Sequence, residues 1–301
     1  VRKRRRVKWG TILFFLIPPL VPLSIFVIYP IIGTFYLSFV NDHNQFTLNN
    51  YISVIQQTSP DLALVLLNNM PRPPPWGALI HNMVWLAIHL PLVTFLGLAL
   101  AYMLKVVYGR SIIKSIMFIG MVVPMVVGGL IIRFMFEKYV GVVPVVLGAI
   151  GLKSLARSWT IYPDTALFAL ILGSVWLWTG FSLTIHAAAI DSLPNSYLEA
   201  AKIDGASEWQ IFRKIVIPLV KPATLTVVVM TMLWDLKIFG IVYAATMGGP
   251  GGASTVLALV MYWYFARMLA YHKAAAVAVI LTAITMIPIS IFIRWVMRRG
   301  R

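Results

Sequence analysis

The chain has 301 residues, of which 60% are hydrophobic and 11% charged, with no cysteine and a net charge of +16 from 25 Lys and Arg against 9 Asp and Glu. Soluble domains are about half apolar and about a quarter charged, so a mean hydropathy of +0.88 excludes a water-soluble enzyme and an unstructured basic tail. Too little polar surface exists to cover a globule in water, and the missing cysteine removes disulfides, thiolate metal sites and cysteine nucleophiles.

A helix needs about 20 apolar residues to cross the bilayer core. Six stretches reach that length, at residues 11–39, 79–104, 112–136, 166–190, 221–246 and 274–297. The first follows the basic run Arg2, Lys3, Arg4, Arg5, Arg6 and Lys8. That run is expected to contact anionic lipid rather than nucleic acid. The stretch after it is too long for a signal-peptide core and lacks a small-residue cleavage site, so it is expected to stay as an anchor. Its Pro18, Pro19, Pro22 and Pro30 predict kinks, which membranes tolerate where neighbours satisfy the freed carbonyls. Two further apolar stretches, Tyr139 to Leu152 and Ala253 to Tyr271, read as interfacial or re-entrant pieces: one is short and interrupted by Pro144, the other carries Arg267.

Charge placement tests this count. With the N-terminus inside, 17 of the 25 basic residues fall on cytoplasmic segments, seven lie outside or at outer span ends, and Lys237 falls within a span. That bias predicts six spans with both termini cytoplasmic. The organisation is then residues 1–40 as basic N-terminus and first span, 41–78 as an external loop stiffened by a run of prolines, and 79–301 as a five-helix core with a cytoplasmic loop at 191–222.

That loop is the most patterned segment. Ser196 to Glu199 fits a capping box opening one helix, Gly205 closes it in the left-handed conformation, and Ser207 to Gln210 opens a second helix running to Pro218 with Trp209, Phe212, Ile215 and Val216 on one face. An amphipathic hairpin on the membrane is one reading. The acidic Glu199, Asp204 and Glu208 oppose it, since an anionic leaflet would repel them, and favour a protein partner.

Glu199-Ala200-Ala201, then Gly205, then Ile215-Val216-Ile217-Pro218 resembles the EAA loop of permease subunits of binding-protein-dependent ABC importers, with Ile217 in place of the usual leucine. Similarity to the sugar-permease branch, the relatives of the maltose and glycerol-phosphate permeases, extends over nearly the whole chain. It includes Tyr29-Pro30, Asn49-Asn50-Tyr51, Gly97-Leu98-Ala99-Leu100-Ala101, Leu193-Pro194 and Gly248-Gly249-Pro250-Gly251. Pro71 to Asn82 and Trp234 to Phe239 look most like the α-glucoside branch. The resemblance implies an all-α integral membrane protein with the type I ABC importer permease fold, in a bacterial cell (inner) membrane. It implies that Glu199, Ala200, Ala201, Asp204 and Gly205 form a coupling helix that docks on an ATPase. The implied partners are a second permease subunit, two ATP-binding subunits, an external solute-binding protein and membrane lipid, with no nucleic acid.

No phosphate-binding loop occurs; Gly248 to Gly252 lacks the lysine and hydroxyl that would hold phosphate and magnesium, and reads as an outer turn. ATP and Mg²⁺ therefore belong to partner subunits, and this chain is expected to be no enzyme and to bind no cofactor of its own. The five histidines form no metal-ligand cluster. His81 and His89 could share one helix face, where backbone or water is the expected partner.

Charged groups inside a span are candidates for function. On the fifth span Thr231, Asp235 and Ile238 repeat at helical spacing with Trp234 beside them; on the fourth, Ser174, Trp178 and Phe181 do the same. Hydroxyls and a carboxylate pair with sugar hydroxyls while aromatic faces cover the ring. The resembling family lines its solute cavity with these helices, and the maltose permease has amides where this chain has Asp235 and Ile238. The substrate-binding set is thus Ser174, Trp178, Phe181, Thr231, Trp234 and Asp235. Asp235 would repel a phosphorylated solute, which points to a neutral sugar or glycoside. The alternatives are a stand-alone channel or secondary carrier, and an ABC permease for a non-sugar solute such as glycerol phosphate.

Overall fold

The computed structural model describes residues 9–66, 72–105 and 107–299. The basic run Arg2 to Lys8, Pro71 and Arg301 lie outside the described residues. Among those described, the architecture is helical, and the pairing of strand type is a single bridge between Val40 and Phe46.

Among the described residues, four helices are long and apolar enough to cross a membrane: Phe14–Ser38 (span one), Ala78–Met103 (span two), Pro163–Asp191 (span four) and Tyr271–Arg294 (span six). Two bent pairs complete the set, Arg110–Val122 with Met125–Met135 (span three) and Glu208–Leu219 with Lys221–Leu236, the latter helix being span five. Counting each bent pair once gives the six expected from sequence.

The breaks differ from expectation and have local causes. Span three, expected as one helix over 112–136, turns by 105°. Val123 is extended at φ −64° and ψ 125°, and Pro124 follows in the same region; a proline forces its predecessor out of the helical region and has no N–H to continue the ladder. Span one holds Pro18, Pro19 and Pro22 within an unbroken helix and meets Pro30 after a wider π turn, Ser24–Ile28. Span five ends at Leu236 instead of continuing to 246, and a short helix, Gly240–Ala245, follows. Ile238 therefore lies beyond the helix that was expected to carry it.

Asn82 of span two explains that stop. Its buried amide donates to the carbonyls of Asp235 and Leu236 at 3.2 and 3.3 Å, and its oxygen accepts the Leu257 N–H at 2.9 Å. One side chain thus satisfies the carboxyl end of span five and the first turn of the re-entrant helix Leu257–Tyr262. Leu257, Leu259 and Val260 of that helix are fully buried, so this segment is a core piece and not an interfacial one. The other doubtful stretch supplies only the short helix Val142–Ala149.

Close helix contact depends on missing side chains. A Cβ on Gly97 would lie 2.1 Å from the Ser182 hydroxyl, and one on Gly180 would lie 2.4 Å from the Met117 carbonyl oxygen. These glycines let spans two and three approach span four at backbone distance, the packing mode expected where lipid offers no hydrophobic drive between helices.

The 41–78 segment, in its described residues, folds back rather than simply extending. It contains the helix Asn49–Ile55, and Leu62, Ala63 and Leu64 are buried. Backbone bonds from Ala78 to Ala63 and from Leu79 to Leu64, 2.9 and 3.0 Å, pin it to the start of span two. Gly248, Gly251 and Gly252 take positive φ in the expected turn, braced by hydroxyl bonds from Ser254 to the Gly249 carbonyl and from Thr255 to the Gly248 carbonyl.

Candidate functional site

Two places carry the chemistry, the loop at 191–222 and a cavity within the bundle. The loop's first helix is Asn195–Ile203. Gly205 has φ +77°; the Ala206 N–H reaches the Ala201 carbonyl at 2.9 Å and the Gly205 N–H the Lys202 carbonyl at 3.1 Å. This pair of bonds is a Schellman motif, which needs a residue without a Cβ penalty at the left-handed position. The second helix opens at Glu208 with the full capping box: Ser207 N–H donates to Gln210 Oε1 at 2.8 Å, and Gln210 N–H to Ser207 Oγ at 3.3 Å.

The expected first box is absent. The helix begins at Asn195 behind Pro194, with no side-chain cap, so Ser196 already sits within the first turn and its hydroxyl cannot serve as a cap. The second helix also differs: a π turn, Phe212–Val216, takes the chain into Ile217–Leu219 with Pro218 in a first turn, where its missing N–H is harmless. Phe212 and Val216 face inward with Ile211, while Trp209 is 61% exposed and leaves the common face assigned to it.

Glu199, Ala200, Asp204 and Gly205 are all exposed, beside Ile203 at 86% exposure. Ala201, assigned to the same coupling contact, is buried in the cluster that holds Leu98, Ala101 and Ile190, because it lies on the opposite side of the helix from the Glu199 and Ile203 face. Glu208 is not free for a partner either. The Tyr102 hydroxyl of span two donates to its carboxylate, and Lys202 lies 2.9 Å away. These two contacts, the Tyr102 bond first, hold the Glu208 carboxyl below the usual carboxylate range. Asp191, at the loop's start, faces Lys114 at 3.6 Å and Arg110 at 3.8 Å. Asp191 before the first helix and Glu208 after it are therefore tied to spans three and two, and that helix carries Glu199 and Asp204, which make no ion pair among the described residues, outward.

The cavity, about 170 Å³, is lined by Gly120, Met121, Val123, Met125, Leu177, Trp178 and Trp234. The break at Pro124 opens it, and the two tryptophans from spans four and five form its wall. Their rings stand edge to face at 5.5 Å, and Phe181 braces Trp234 in the same manner at 4.8 Å.

The polar members of the expected set stand elsewhere. Ser174 is buried and donates to the Ile171 carbonyl of its own helix at 2.7 Å, so its hydroxyl is used locally. Thr231 and Asp235 are fully buried and outside the lining. Asp235 turns to span two, where its Oδ1 lies 2.8 Å from Nδ1 of His89. The carboxylate expected to face solute thus faces an imidazole.

His89 and Asn82 are the residues the sequence reading did not connect to Asp235. His81, on the same face of span two, is satisfied by backbone as expected: its Nε2 accepts the Trp76 N–H at 3.0 Å, leaving Nδ1 to donate to the Thr255 carbonyl at 2.7 Å. The shared face was visible as a spacing, but the partners on span five and near residue 255 were not.

A bundle of broken and continuous spans around an aromatic-walled cavity, with an exposed helical loop at one end, defines a membrane transport subunit. Residues 93–299 match the family of binding-protein-dependent transport system inner membrane components, and the chain belongs to that family. It is 58% identical over 278 residues to a probable ABC transporter permease protein of Pyrococcus horikoshii, covering 91% of this chain and 94% of that one. It is 28% identical to the trehalose/maltose transport system permease protein MalF of Thermococcus litoralis, covering 87% of this chain and 85% of the relative. Among solved structures, a bacterial ABC transporter involved in import of the acidic polysaccharide alginate shares the fold with a TM-score of 0.77 at 21% identity, over 97% of this chain and 96% of that one. The protein is a multi-pass permease subunit of an ABC importer.

Proposed function

We propose that this permease forms one half of the path of an ATP-driven importer for a neutral sugar or glycoside, of the α-glucoside kind, and couples to an ATPase through the helix Asn195–Ile203. The observation that carries the coupling is the Schellman turn at Gly205, which presents Glu199, Ala200, Ile203 and Asp204 to the cytoplasm on a helix anchored at both ends. An unpaired acidic and apolar edge of this kind suits a protein groove and not an anionic leaflet.

The sugar reading is supported by the tryptophan-walled cavity, since aromatic faces cover the C–H surface of a pyranose, and by MalF of Thermococcus litoralis. An alpha-glucoside transport system permease protein of Rhizobium meliloti is also similar, at 29% identity over 92% of this chain. The complex would hold a second permease, two ATP-binding subunits that use ATP and Mg²⁺, and an external binding protein, with both termini of this chain cytoplasmic. A solved alginate ABC transporter of the same fold, TM-score 0.74, was captured with an alginate pentasaccharide-bound periplasmic protein, which supports the last partner. The test is binding-protein-stimulated ATP hydrolysis by the assembled complex over a panel of glycosides. Stimulation by α-glucosides, abolished by Gly205→Pro or Glu199→Lys, is expected; no stimulation by any sugar would overturn the solute class, and full coupling in both variants would overturn the assigned loop.

A further inference from the structure

The cavity wall has a charged layer directly behind it. His89 and Asp235 are 1% exposed at their side chains and 2.8 Å apart. Beyond that contact neither has a hydrogen-bond partner among the described residues, and the hydroxyl of Thr231 and the indole N–H of Trp178 are unpartnered too. The Trp178 ring, which lines the cavity, meets the His89 ring edge-on at 5.6 Å, and Trp234, the other wall residue, precedes Asp235 in the chain. Lys237 is exposed beyond the end of span five and makes no ion pair among the described residues, so His89 is the group that faces the carboxylate.

A lone carboxylate buried in a membrane protein is strongly disfavoured. A histidine and an aspartate that hold one ionisable proton between them sum to zero charge, whichever of the two carries it. We infer that His89 keeps Asp235 in an electrically neutral pair behind the tryptophan wall, and so makes the cavity selective for uncharged solutes. His89 is a positioning residue in this account, acting on solute through Asp235. The inference rests on the cavity being the solute path proposed above.

The absence of native cysteine allows a direct electrostatic readout. Met121→Cys places one thiol on the cavity lining of the assembled complex, and its modification by a cationic (trimethylammonium) and an anionic (sulfonate) methanethiosulfonate is followed by the intact mass of this chain. Measured at about pH 9, at which even a buried carboxyl without a partner ionises, His89→Gln leaves an unbalanced carboxylate and should raise the cation-to-anion rate ratio by about fivefold or more. Adding Asp235→Asn should return the ratio to within about twofold of the parent. Asp235→Asn alone, which tests the pair without disturbing His89, should also stay within about twofold. An unchanged ratio in His89→Gln, a raised ratio that persists in the double variant, or a fall of fivefold in Asp235→Asn alone would each overturn the neutral pair. No sugar is present in the measurement, so it can fail while sugar-stimulated hydrolysis succeeds, and the reverse.

Discussion

Span one and span four are both long, apolar helices, yet the bundle treats them as opposites. None of span one's apolar window is buried within the chain, whereas 78% of span four's is. Apolarity alone does not separate them. Span four carries Gly173, Ser174, Thr179, Gly180, Ser182 and Ala187, and a Cβ on Gly180 would strike the backbone of span three. Span one carries Phe14, Phe15, Phe26 and Phe35 facing outward, and its Gly33 has nothing within 4 Å of where a Cβ would stand. Hydropathy chooses the membrane, and small residues choose the centre of the bundle.

The largest effect that could break this contrast is at Gly180. Gly180→Val places a branched side chain against the Met117 carbonyl, and overpacking of that size should cost more than about 3 kcal/mol. Size-exclusion chromatography in detergent should show loss of the monodisperse species; a normal profile would refute backbone-distance packing. Asn82→Ala is next. It strips two carbonyls and one N–H of their partner, at a cost of about 2 kcal/mol, and should lower the melting midpoint while exposing the backbone near Leu257 to hydrogen exchange.

Tyr102→Phe is smaller, about 1 kcal/mol, because the ring keeps its 5.0 Å contact with Phe212 and only the bond to Glu208 is lost. The same bond fixes a pH signature. Since the folded Glu208 pKa is depressed, its contribution is present above the ordinary carboxylate pKa of about 4.3 and is lost as pH falls through the lower folded value. Proteolysis of the loop should therefore accelerate below about pH 4 in the parent, and Tyr102→Phe should flatten that dependence. At the bottom of the scale, Phe26→Ala on span one, where Phe26 is 76% exposed, should change the melting midpoint of the isolated chain by no more than about 0.5 kcal/mol equivalent. A large loss there would mean that span one is held by the bundle after all.

What sequence could deliver follows the same division. Six spans were legible because apolar length is a property of one segment, and the loop was legible because glycine and capping residues act on their immediate neighbours. Gly205 and the Ser207 to Gln210 box stand as the pattern implied. The breaks were not legible, since three prolines leave the first helix of span one continuous while Pro124 turns span three by 105°. A proline makes a break possible, and whether the break is taken depends also on the surroundings that the sequence does not display. The cavity was half legible. Trp178 and Trp234 line it as their helical spacing suggested, but Ser174 turned to its own backbone and Asp235 to His89. Which way a polar side chain turns in a span depends on the nearest partner in space, and His89 and Asn82 lie far from residue 235 along the chain.

The Asn195–Ile203 helix is proposed to deliver ATPase motion to this bundle. Ile203, the most exposed large hydrophobic side chain of that helix, gives the most direct test in a protein with no cysteine of its own. Ile203→Cys, paired with cysteines placed around the groove of the co-expressed ATPase, should form a disulfide-linked permease–ATPase species whose yield changes when MgATP is added. An intact, co-purifying complex in which Ile203→Cys links to no ATPase position, with or without nucleotide, would contradict it.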